Sequence, residues 1–120
     1  PFLATCVKRG ASVVVGGPFN SGILAGGDRF NYAKAPEVVV RKVEAIAKVC
    51  REFEVPLPAA ALQFPLSHPA VCNVLPGPRS PQELDGILAW WNTTIPDALW
   101  TTLAEKGLLD PGTPIPARMA

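Results

Sequence analysis

The stretch "VLPGPRSPQEL", Val74 to Leu84, closes an apolar run on proline and glycine and opens a helix with Ser80, Pro81 and Glu83. Ser at the N-cap, Pro at the first helical position and Glu at the third make a capping box. Hydroxyl and carboxylate each accept a backbone N–H that the helix start leaves unpaired. A helix N-terminus with the Arg79 guanidinium beside it draws an anion, and arginine can grip phosphate bidentately or stack on a base. A second stretch, "GGPFNSG" from Gly16 to Gly22, follows another apolar run. Its glycines let backbone N–H groups approach a phosphate, and Asn20 and Ser21 add side-chain hydrogen bonds. Taken singly, each has a plainer reading: a tight turn needing positive φ, and a surface arginine beside a capped helix. Both at one edge of a parallel sheet make the joint ligand reading stronger than either part.

The remaining chemistry-bearing residues offer less. His68, the single histidine, sits between Ser67 and Pro69 without a carboxylate or nucleophile motif and reads as a helix-end residue. Asp28, Arg29 and Tyr32 lie in a long loop, where such residues are solvated unless a substrate meets them. Cys6, Cys50 and Cys72 are dispersed, with no CxxC or Cys/His spacing, so no metal site is expected. They read as buried free thiols of a reducing, cytoplasmic compartment. Neither a G-x-G-x-x-G fingerprint nor a Walker pattern occurs.

The elements that must position these loops follow from periodicity. "PFLATCVKRG" sets Phe2, Leu3, Cys6 and Val7 on one side at helical spacing, with Gly10 as a stop. Ser12 to Val15 and Val71 to Leu75 are short apolar runs, expected as strands buried on both faces. From Pro36 to Glu54, Val39, Val43, Ile46, Cys50 and Phe53 form one apolar stripe, with Glu44 and Lys48 paired on the opposite side. A helix from Pro58 to about Ser67 is expected to kink at Pro65. The capped helix sets Leu84, Ile87, Leu88 and Trp91 on one side. A last helix, Pro96 to Lys106, buries Leu99, Trp100 and Leu103 before the stop at Gly107. The Pro-rich segment 111–120 is expected as an extended or frayed tail. Helices alternating with buried strands imply parallel βαβ geometry. Two strands cannot complete such a sheet, so the chain reads as a slice of a larger sheet or barrel; the helix at Pro1 and the lack of an initiator Met agree.

Composition narrows the function classes. The 120 residues are 48% hydrophobic and 18% charged, as in a globular domain rather than a disordered one. A net charge of +1, with no basic stripe, lacks the footprint of a nucleic-acid binder. No apolar run approaches the ~18 residues of a membrane span, so neither membrane nor nucleic acid is an expected partner.

With both loops in hand, the chain resembles the C-terminal part of an aldo-keto reductase. The strings "RGASVVVGGPFNSGILAGG", "FNYAKAP", "VPLPAAALQFPLSHPAVCNVLPGPRSPQEL" and "LAWWNTTIPDALW" carry the likeness across nearly the whole chain. It looks most like the branch containing L-fucose, D-threo-aldose and pyridoxal dehydrogenases. The resemblance implies an α/β fold, the C-terminal part of a (β/α)8 barrel, with Ser12 to Gly16 as strand seven and Val71 to Leu75 as strand eight. It implies an NAD or NADP cofactor and a small sugar or aldehyde substrate. Gly17, Pro18, Phe19, Asn20, Ser21 and Gly22 would touch the pyrophosphate. Gly77, Pro78 and Arg79 would take the adenosine ribose or its 2′ substituent, with Glu83 near the adenine ribose.

The sequence also departs from the family's pattern. Gly16 stands where many members stack a tyrosine on the nicotinamide, and Gly77 where many place a 2′-phosphate ligand. Gly86 and Ile87 replace an acidic or amide residue and an asparagine near the adenine. The family's catalytic Asp, Tyr, Lys and His come from the first four strands, so no catalytic residue is assigned here. The alternative is a non-catalytic nucleotide-binding or barrel-completing module.

Overall fold

The computed structural model of the chain describes residues 1–19, 22–25, 27, 29–30, 33–110 and 112–115. In order, helix α1 spans Phe2–Lys8 and strand β1 Val13–Gly16, followed by a 3-10 turn at Ile23–Ala25. A short antiparallel pair, β2 (Arg29–Phe30) and β3 (Ala33–Lys34), precedes α2 (Glu37–Glu52) and α3 (Leu57–Gln63). A 3-10 turn at Phe64–Ser67 leads into β4 (Val71–Leu75), then α4 (Pro81–Trp91) and α5 (Asp97–Glu105). The architecture is mixed α/β: β1 and β4 pair in parallel, and α2 and α3 lie between them in sequence. None of the described helices is long and apolar enough to cross a membrane.

Local signals place the boundaries well. Gly107 ends α5 at φ +71, and the bonds from Gly107 N to Ala104 O (3.1 Å) and Leu108 N to Leu103 O (3.0 Å) close the last turn. After α2 the same left-handed position is held by Glu54 at φ 58, where a Cβ is strained. Pro65 does not kink α3. It falls within the first residues of the 3-10 turn, which tightens the chain before β4. Along α2, Arg41 pairs with Glu37 instead of Glu44 with Lys48.

Two expectations about burial are corrected. β1 and β4 are not buried on both faces: Val14 is 55% exposed and Leu75 65%. Each strand has one strand neighbour among the described residues, and a parallel sheet needs cover that one partner cannot supply. The pairing runs Val13 to Val71 and then Val14 to Asn73, so the register shifts at Cys72. That shift turns both Cys72 and Asn73 outward, breaking the two-residue alternation. Cys72 is therefore exposed; Cys6, on α1, is half-buried, and Cys50 is the one buried thiol, its pKa raised by desolvation.

The main core is helical. Val49 and Cys50 of α2, Ala59 and Ala60 of α3, and Leu99, Trp100 and Leu103 of α5 pack together. Trp100 stacks on Phe64, with ring centroids 5.7 Å apart. Ile115 joins this cluster at 2% exposure, so the described part of the Pro-rich segment is docked rather than frayed. Pro111 and residues 116–120 lie outside the described residues. A smaller cluster of Leu62, Val74 and Ile87 ties α3, β4 and α4 together beneath the strand ends. Leu84, Leu88 and Trp91, expected on the buried side of α4, are each more than 40% exposed; Ile87 alone of that set is buried.

Candidate functional site

Parallel pairing aligns the carboxyl ends of the two strands, Gly16 opposite Leu75. The loops that follow therefore leave the same sheet edge, the edge at which parallel α/β folds bind ligands.

In the first loop, Pro18 is buried and the carbonyl of Phe19 accepts the N–H groups of Gly22 and Leu24, both at 3.1 Å. The carbonyl of Gly22 accepts Gly27 N–H at 2.8 Å, folding the loop back on itself. A Cβ at Gly27 would lie 3.0 Å from that same carbonyl oxygen, so a side chain there requires the loop to give by a few tenths of an ångström. The Phe19 ring meets Trp90 of α4 edge-on, which fixes the distance between loop and helix. Asn20 and Ser21, expected to contribute side-chain hydrogen bonds, lie outside the described residues.

In the second loop the Ser80 cap forms as expected, its Oγ accepting Glu83 N–H at 3.1 Å. The reciprocal bond does not go to Ser80. The Glu83 carboxylate instead accepts the backbone N–H of Arg79 at 3.3 Å and Arg79 Nε at 3.2 and 3.4 Å. The carboxylate reaches one residue further back, where it meets the guanidinium as well. The guanidinium that the sequence aims at an outside anion thus rests on an anion of its own helix.

The two loops enclose a cleft of about 580 Å³. Of the expected site residues, Phe19, Gly22, Gly77, Arg79 and Glu83 line it, whereas Gly17, Pro18 and Pro78 do not. Gly27, Gln82 and Trp90 complete the wall and were not expected there; Gly86 and Ile87, which the resemblance puts near the adenine, join them. Gln82, Glu83, Gly86, Ile87 and Trp90 fall on one helical face counted from the Ser80 cap, so periodicity carried that signal. A Cβ at Gly77 or Gly86 would meet nothing within 4 Å, so both positions open onto space. Arg79 and Glu83 are the charged members of this described lining, and their charges cancel. No cluster of three or more His, Cys, Asp or Glu able to hold a metal occurs among the described residues. His68 accepts the N–H of Ala70 on Nδ1 at 3.1 Å, which makes it the closing residue of the 3-10 turn.

Comparison with known proteins gives the family. Residues 1–107 match the model of the aldo/keto reductase family. Pyridoxal 4-dehydrogenase of Microbacterium luteolum is 45% identical over 112 residues, 90% of this chain and 33% of that protein. D-threo-aldose 1-dehydrogenase of Pseudomonas sp is 36% identical over 112 residues, 89% of this chain and 34% of that protein. The chain spans about a third of the length of these relatives. A family match over residues 1–107, most of the length of the chain, has one reading: the chain belongs to the aldo/keto reductase family.

Proposed function

We propose that the chain is the cofactor-binding C-terminal part of an NAD(P)-dependent oxidoreductase acting on aldoses or aldehydes. On this reading β1 and β4 are strands seven and eight of a (β/α)8 barrel, and residues 1–120 form one portion of a single barrel domain. The observation that carries it is the convergence of Phe19, Gly22, Gly77, Arg79 and Glu83 on one cleft at the carboxyl edge of a parallel pair. The dehydrogenase names of the relatives support the same activity.

The residues present fit a dinucleotide. Gly22, Gly27 and Gly77 leave backbone accessible along the wall, and Arg79 supplies a cation. Gly86, Ile87 and Trp90 offer an apolar wall for a base, replacing hydrogen bonds with contact. When bound, the nicotinamide takes up or delivers the hydride exchanged with the substrate carbon. This chain's residues bind and orient; no catalytic residue is assigned within it.

The test is a titration of NADH into the protein as its gene encodes it, for the parent and for Gly86→Phe. A Cβ at Gly86 meets nothing within 4 Å and Gly86 lines the cleft, so a bulky side chain there starts in open space at the cleft wall. Saturable binding by the parent, weakened by about tenfold or more in the variant at a melting temperature no lower than the parent's, is expected. No saturable binding by the parent, or equal affinity in both, overturns the proposal.

A further inference from the structure

Gln63 ends α3, and its side chain crosses to the far end of α4. The two N–H groups of its Nε2 serve three carbonyls, those of Trp90 and Thr93 at 2.9 Å each and that of Trp91 at 3.3 Å. A helix leaves its last four carbonyls without partners inside the helix. The chain that follows α4 meets part of this need. Asn92 donates to Leu88 O from its backbone N–H at 3.1 Å and from Nδ2 at 2.8 Å. Thr93 donates from Oγ1 to Ala89 O at 2.8 Å and from its N–H to Trp90 O at 3.2 Å. Those bonds are local, so they hold whichever way the helix is turned. Among the described residues, Gln63 is the one side chain from another element bonded to this end, and a bond of that kind does fix orientation.

The preceding residue adds a second hold. Leu62 is buried in one cluster with Val74 and Ile87. Helix α3 therefore grips α4 at two places about one turn apart, Leu62 on Ile87 and Gln63 on the carbonyl of Trp90. Two holds fix a helix about its own axis, where one would let it roll. Ile87 and Trp90 share a face and both line the cleft, so a roll would carry them together. The Trp90 ring also meets Phe19 of the opposite loop. Gln63 itself lies outside the cleft lining, so whatever it does there passes through α4.

We propose that Gln63 is a positioning residue: by holding the last turn of α4 it sets Ile87 and Trp90 against Phe19, and with them the affinity of the cleft. The inference rests on the cleft being the dinucleotide site proposed above. NADH titrations of the protein as its gene encodes it, run well below the melting temperature, give the readout, because a loss of stability alone leaves the affinity of the folded protein unmoved. Gln63→Met keeps the length of the side chain and removes the donor. It should weaken NADH by about fivefold or more. Gln63→Lys returns N–H donors at a helix end that favours a cation, and should bind within about twofold of the parent. Val49→Ala opens a gap in the helical core away from the cleft. It should lower the melting temperature yet leave the affinity within about twofold of the parent. Three results overturn the role of Gln63 and leave the cleft reading standing: parental affinity in a folded Gln63→Met, a folded Gln63→Lys as weak as Gln63→Met, or an equal loss in Val49→Ala. Should Gln63→Met not fold, Gln63→Asn, one methylene short of the same carbonyls, is held to the same criterion. No saturable binding by the parent overturns both.

Discussion

Phe19, in the loop after β1, meets Trp90 of α4 edge to face, with ring centroids 5.6 Å apart and planes at 77°. The contact joins a loop from one strand to the helix that follows the other, so it sets the width of the cleft between them. Phe19→Ala should lower stability by more than the ~0.5–1.5 kcal/mol of the ring pair, since apolar burial is lost as well. Denaturant unfolding would measure the loss, and Phe19→Leu should recover part of it. Unchanged stability in Phe19→Ala would mean the ring contact does not fix the loop.

Ser80 and Arg79 should separate by readout. Ser80→Ala removes the bond to Glu83 N–H and should lower stability by about 1 kcal/mol. Arg79→Ala breaks a largely exposed i,i+4 pair, so its effect on stability should stay within ~0.5 kcal/mol. Its effect on NADH binding should be larger, ~1.5–3 kcal/mol, the range for hydrogen bonds to charged groups. Thermal melts without cofactor and NADH titrations of both variants give the comparison.

Gly86 interrupts α4 at a position where a Cβ meets nothing within 4 Å. Gly86→Ala should therefore stabilise by about 0.5–1 kcal/mol, the helix-propensity difference, seen as a higher melting temperature. A lower melting temperature would show that the cleft needs the glycine backbone for another reason.

Gln63 closes the far end of α4, its Nε2 donating to the carbonyls of Trp90 and Thr93 at 2.9 Å each and of Trp91 at 3.3 Å. Gln63→Ala should lower stability by ~1–3 kcal/mol, because part-buried carbonyls lose their donor. Gln63→Glu should behave differently with pH. Its ionised carboxylate would face carbonyl oxygens, raising the folded-state pKa above the unfolded value of about 4.3. Stability should then be greatest below pH ~4.3 and fall as the pH rises through the folded-state value. Melts between acid and neutral pH would show the slope; a flat profile would contradict the contact.

The thiols should label in an order set by exposure. Cys72 lies exposed on β4, whereas Cys50 is 1% exposed with its thiol pKa pushed up by burial. A thiol reagent should modify Cys72 in the native protein and reach Cys50 only after unfolding, as peptide mapping would reveal. Fast native labelling of Cys50 would show that the core among α2, α3 and α5 opens readily.

Much of the element order was legible because its signals are local. Ser80 with Pro81 starts α4, Gly107 stops α5, the apolar stripe from Val39 to Phe53 marks α2, and each needs only neighbours a turn away. The apolar runs at Ser12–Val15 and Val71–Leu75 likewise foretold two strands, and both loops of the cleft were found from their glycines and Arg79. Partner choice was not legible. Periodicity marks an apolar face but says nothing of what covers it, so Val14, Leu84 and Leu88 read as core and are exposed, whereas Ile115 read as tail and is buried. The register shift at Cys72 depends on which residue of β1 lies opposite, a fact absent from either strand alone. The same holds at the site. The sequence by itself placed a cation and a capping carboxylate four residues apart; only the folded loop, bringing Arg79 Nε within 3.2 Å of Glu83, decided that each is the other's first partner.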